Sequence, residues 1–104
     1  MKKNETRIIS YCAVFQAEED GINIDFPDLQ GCLSCSFSQE DSIKMAEEAL
    51  SLWLDGQKYE DLPQPTLASN ICCRSNEIVF SVSVQVQIVN GIIDGRRKHD
   101  KHNW

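Results

Sequence analysis

Three groups of side chains in this sequence could do chemistry. Cys32-Leu33-Ser34-Cys35 has the C-x-x-C spacing of a zinc knuckle, and His99 and His102 would supply two nitrogen ligands. A knuckle needs both thiolates on one side of a tight turn. Here Cys35 falls inside a segment that reads as a strand, where side chains three positions apart point to opposite faces. No metal site is therefore expected. The five cysteines, Cys12, Cys32, Cys35, Cys72 and Cys73, read as free thiols, and their odd number without a secretory signal fits a reducing, cytoplasmic setting. The second group is the carboxylates that a two-metal nuclease would need gathered on a sheet. Asp25 is the one acid in mid-strand, Glu47 and Glu48 belong to a helix, and no D-x-D or E-x-x-H pattern accompanies them. Catalysis and cofactors are not expected. The third group, Glu18, Glu19, Asp20, Asp25 and Asp28, crowds into residues 18 to 28. Each reads either as part of a solvated turn or, as a group, as a binding edge towards which a basic protein would be steered.

The whole chain carries the same bias. Its 104 residues have a formal net charge of -6 and a pI near 4.7. Phosphate backbones repel such a domain, so direct nucleic-acid binding is not expected, whereas a basic partner would be steered towards it. The basic cluster Arg96-Arg97-Lys98 with His99, Lys101 and His102 reads as a solvated tail. No apolar run approaches the roughly 18 residues of a membrane span, so no membrane partner is expected.

The elements that must position these groups are legible. Ile8 to Phe15 is β-branched and aromatic, with Ile9, Tyr11, Ala13 and Phe15 on one face. Gln16 to Gly21 reads as a polar turn into Ile22-Asn23-Ile24-Asp25-Phe26, whose alternation puts Ile22, Ile24 and Phe26 inside. Leu33 to Phe37 adds a third strand to the meander. Ser38 is a suitable N-cap, with Glu40 and Asp41 in the first turn of the helix that follows. Ile43, Ala46, Ala49, Leu50, Trp53 and Leu54 recur at helical spacing, while Lys44, Glu47, Glu48, Ser51 and Asp55 fill the opposite face; Gly56 stops it. Asp61 to Thr66, with two prolines, is an extended connector. A last strand runs from Ile78 to Val89 with every even position apolar, and Asn90-Gly91 ends it. The expected fold is a single α+β domain over residues 1–90, β-β-β-α-β, with a helix on one face and the last strand beside the first. The crossover through the helix is right-handed if the strands it joins are parallel. Residues 91–104 read as a short tail.

Between the second and third strands lies Phe26-Pro27-Asp28-Leu29-Gln30-Gly31-Cys32. Pro27 cannot donate to a ladder, Asp28 can accept from the backbone N–H groups just after it, and Gly31 can supply a positive φ, so the stretch predicts a rigid turn. Leu29 and Cys32 are expected to return to the core.

These residues carry a resemblance. Tyr11-Cys12-Ala13-Val14-Phe15, the acidic turn ending at Gly21, the Phe26–Cys32 stretch and Ala46-Glu47-Glu48-Ala49-Leu50-Ser51-Leu52-Trp53-Leu54 look like the HicB family of antitoxins. Leu62-Pro63-Gln64-Pro65-Thr66 is similar to the connector after that family's helix, and Gln30 stands where proline is common. The likeness spans roughly residues 8 to 90. It implies a partial ribonuclease-H-like fold and one function: binding a HicA-type toxin, a small basic protein that cleaves messenger RNA with a histidine, and blocking its surface. Members also repress their operon through a C-terminal helix-turn-helix or ribbon-helix-helix. The fifteen residues after Val89 are too few for either, so operator binding is not expected. The long, half-apolar last strand is expected to pair with its counterpart in a second copy, giving a homodimer or higher homo-oligomer.

Overall fold

Alternating apolar side chains build one sheet, and an amphipathic helix covers part of one of its faces. The computed structural model describes residues 4–95; the basic cluster from Arg96 to His102 lies outside them. Strands β1 (Asn4–Glu18), β2 (Gly21–Asp25) and β3 (Leu33–Ser36) precede helix α1 (Gln39–Leu54), and β4 (Glu77–Val89) and β5 (Ile92–Asp94) follow it. They form a five-stranded antiparallel sheet in the order β3-β2-β1-β4-β5. The expected meander, helix and final strand beside the first are all present. β1 and β4 pair along nearly their whole lengths, from Asn4 opposite Val89 to Gln16 opposite Glu77.

Three differences from the sequence reading have physical causes. β1 reaches Glu18 and pairs it with Gly21, so the hairpin turn shrinks to Glu19 and Asp20. β3 has the direction of β1, and β4 opposes β1, so the crossover through α1 joins antiparallel strands and the handedness rule for parallel ones does not apply. The sheet also continues past Asn90-Gly91, which turns the chain into β5. Ile93, opposite Ile88, is 1% exposed.

The core lies between α1 and the even face of the last long strand. Ile9, Tyr11, Ala13, Phe15, Ile24, Phe26, Val82, Val84, Val86 and Ile88 meet Ala46, Leu50 and Leu54. Ser38 caps the helix as expected, its hydroxyl accepting the Asp41 N–H at 3.2 Å. The helix's polar face is narrower than its spacing suggests. Ser51 is buried, because the chain after β5 passes against it: a Cβ on Gly95 would collide with the Ser51 carbonyl oxygen. Gly95 N–H in turn donates to the Asp55 carboxylate at 3.0 Å. At the other end α1 is too short to cover the start of β4. Ile78 and Phe80, apolar positions of the expected buried face, are 61% and 50% exposed.

Candidate partner-binding site

The turn from Phe26 to Cys32 closes on its own backbone. Leu29 N–H donates to Phe26 O at 3.0 Å, Cys32 N–H to Leu29 O at 3.0 Å, and Phe26 N–H to Cys32 O at 3.2 Å. Gly31 has φ +83° with nothing within 4 Å of an added Cβ; its glycine is demanded by conformation and not by space. Phe26, Leu29 and Cys32 are all buried. The turn also ties neighbouring elements together. Trp53 Nε1–H on α1 donates to Gln30 O at 3.0 Å, and the Cys32 thiol points at Ala49 O, 3.6 Å away.

Asp28 does something other than what its position in the turn suggests. Its carboxylate does not hold the N–H groups that follow it. One oxygen accepts the Thr66 N–H and the other the Thr66 hydroxyl, both at 2.7 Å. The proline-rich connector is thereby pinned to the turn, and Tyr11 O–H fastens it again by donating to Pro63 O at 2.5 Å. Burial, then the nearby charge of Asp28, push the Tyr11 hydroxyl above its ordinary pKa, so it stays a donor at neutral pH. Thr66 escaped the sequence reading because nothing in Pro65-Thr66 marks it as a partner for a residue so distant in the chain. Replacing Asp28 with alanine should cost on the order of 1–3 kcal/mol, as expected for bonds to a half-buried carboxylate. In a double-mutant cycle with Thr66→Val the two costs should be strongly non-additive. Additive costs in urea melts would show that the pair does not act as one clamp.

The structure separates the predicted acidic residues into three places. Glu18, Glu19 and Asp20 stand together, exposed, at the β1–β2 turn. Asp25 is at the far end of β2, roughly 13 Å along the strand from Gly21 at about 3.3 Å per residue. It is exposed on the face away from α1 and lines a cleft of about 600 Å³ with Asn23, Gln16, Arg74 and Glu77. Asp28 is half-buried and held by Thr66. Glu18, Glu19, Asp20 and Asp25 join no ion pair or side-chain hydrogen bond among the described residues. The sheet stands between Asp25 and the helix that carries Glu47 and Glu48.

The C-x-x-C thiols part as strand geometry requires, with Cys32 2% exposed and Cys35 on the surface. Burial, followed by the charge of Asp25, pushes the Cys32 thiol up to about 11. It is protonated at neutral pH. His99 and His102 lie outside the described residues, and no cluster of three metal-ligating side chains occurs within them. No helix among the described residues is long and apolar enough to cross a membrane.

With this geometry in place, comparison with known families is decisive. Residues 11–98 match the family described as HicB_like antitoxin of bacterial toxin-antitoxin system. The chain belongs to that family. The match covers the β1–β2 hairpin, the clamped turn, the helix and both final strands, and it bears out the resemblance carried by the Phe26–Cys32 and Ala46–Leu54 motifs. No curated protein matches the sequence. Membership in the HicB-like antitoxins assigns the chain to a toxin–antitoxin system, which implies a toxin protein as partner.

Proposed function

We propose that this chain neutralises a small, basic, mRNA-cleaving HicA-type toxin by covering the surface with which the toxin holds RNA. The observation that carries the reading is the carboxylate group Glu18, Glu19 and Asp20, exposed at the β1–β2 hairpin turn with no cation of its own among the described residues. A surface built to bind phosphates attracts such a group, and charge complementarity of this kind raises the association rate and fixes the register of docking. Asp25 extends the acidic surface on the far side of β2. Asp28 is left out of the contact set, since both its oxygens already accept hydrogen bonds from Thr66. The chain keeps the β-β-β-α-β order that the resemblance implies, with its last long strand beside the first but antiparallel to it.

The test is co-expression with the product of the neighbouring small, basic reading frame, followed by calorimetry and an RNA-cleavage assay. Tight binding that silences cleavage is the expected result. The triple variant Glu18→Lys, Glu19→Lys, Asp20→Lys should bind at least about tenfold more weakly, chiefly through a slower, less salt-sensitive association. Its melting temperature should be unchanged, because the three side chains are exposed. Absence of any heat of binding for the unaltered chain would sink the reading; undiminished binding by the triple variant would move the contact away from this turn.

A further inference from the structure

The apolar face of the sheet does not stop where α1 begins. Past the helix N-terminus it carries on as a groove of about 430 Å³. Phe15 and Ala17 of β1 lie between Ile22 of β2 and Ile78 and Phe80 of β4, and Ile43 lines it from the helix. The strand registers put the sheet residues on one face, with Ile22 opposite Ala17 and Ile78 opposite Phe15. The Phe15 and Phe80 rings meet edge to face, centroids 6.3 Å apart, which fixes one wall. Yet half of Phe80 and more of Ile78 stay in water, and large apolar groups left open together mark an interaction site. The groove borders the acidic turn. Ala17 immediately precedes Glu18-Glu19-Asp20, and Ile22 follows that turn after Gly21. On the helix side the exposed Glu40 and Asp41 stand between Gln39 and Ser42, which line the groove. Against these five carboxylates stands Lys44, next to Ile43 in the chain.

Resting on the toxin reading above, we infer that this groove takes an apolar side chain of the toxin, flanked there by lysines or arginines that meet the surrounding carboxylates. An acidic rim turns away phosphate chains and anionic lipid. A second copy presents the same rim to its counterpart, so docking groove to groove sets carboxylates against carboxylates. The residues after Gly95 leave from the other end of α1, where Gly95 N–H bonds Asp55. A basic protein with one protruding apolar residue matches both rim and groove. The two parts act on different rates. Exposed carboxylates speed encounter with a basic surface. Burial of an apolar side chain in a pocket slows departure, and interface energy concentrates in such anchors.

Association and dissociation rates of the product of the neighbouring small, basic reading frame, measured on the immobilised full chain, separate the two parts. Ile43→Gln combined with Ile78→Thr removes apolar surface from the helix side and from β4. It should speed dissociation at least about tenfold and leave association within about twofold. Ala17→Phe adds apolar surface but fills the space, and should speed dissociation as well. All three positions are exposed, so circular dichroism and melting should stay close to those of the unaltered chain. Leu52→Gln, on the exposed side of α1, should change neither rate. Groove variants that dissociate like the unaltered chain would overturn the proposal, even where the triple lysine variant at the turn binds weakly and the toxin reading stands. A tighter complex with Ala17→Phe would overturn it too, as would an equal loss with Leu52→Gln. No binding by the unaltered chain would bring down both readings. With toxin binding intact, a changed mass in light scattering would give the groove to a second copy. Faster trypsin cleavage after Gly95 would give it to the chain's own tail. Either result overturns the proposal.

Discussion

Replacing Phe26 with alanine is expected to cost about 3–5 kcal/mol, the range for removing a fully buried aromatic ring. The ring is 1% exposed and belongs to the core shared by the sheet and α1. Its backbone also starts the turn, with Phe26 N–H donating to Cys32 O and Phe26 O accepting from Leu29 N–H. Loss of the ring therefore opens a cavity where the turn leaves the sheet. That spot lies next to the Trp53–Gln30 bond and two residues from the Asp28–Thr66 clamp. For a domain of this size the cost is a large share of a total stability of about 5–15 kcal/mol. Urea unfolding followed by circular dichroism measures it. A loss below about 1 kcal/mol would mean that the turn is packed on the surface of the core and not into it.

Ile93→Ala is expected to cost about 2–5 kcal/mol. The residue is buried, and its backbone bonds join β5 to the helix exit: Gly56 N–H donates to Ile93 O at 2.8 Å and Ile93 N–H to Gln57 O at 2.9 Å. The effect should be local as well as global. Amide hydrogen exchange at Gly56, Ile93 and Tyr59, whose N–H donates to Gly91 O, should quicken more than exchange at the paired amides in the middle of β1 and β4. A negligible cost would show that the fold is finished by Val89.

Alternation and helical spacing made most of this fold legible. The even face of β4, Ile9 to Phe15 of β1 and the Ser38 cap all follow from elementary periodicity, and the antitoxin family was legible in the motifs around Phe26 and Ala46. What could not be read depends on tertiary fit. Ile78 and Phe80 share the pattern of Val82 and Val84, and only the length of α1 decides that two are covered and two are not. Ser51 is polar and was assigned to the wet side of the helix. It is buried because a glycine far along the chain lets the backbone approach. Ile92-Ile93-Asp94 is too short to show a period, so β5 was invisible. Asp28 looked like a turn residue or a partner contact, and its commitment to Thr66 depends on where a connector happens to pass.

The long β1–β4 pairing has a consequence for timing. The first strand of the chain has its most extensive partner in the last quarter, with Asn4 opposite Val89. During synthesis the β1–β2 hairpin and its acidic turn emerge early, but the core face of β1 has no neighbour on its other side until β4 has left the ribosome. A topology so dominated by distant contacts folds slowly compared with one built from local pairs. Newly made antitoxin thus acquires its rigid form only after β4 has emerged, and a chain cut short before Glu77 should lack the strand that completes the core face of β1.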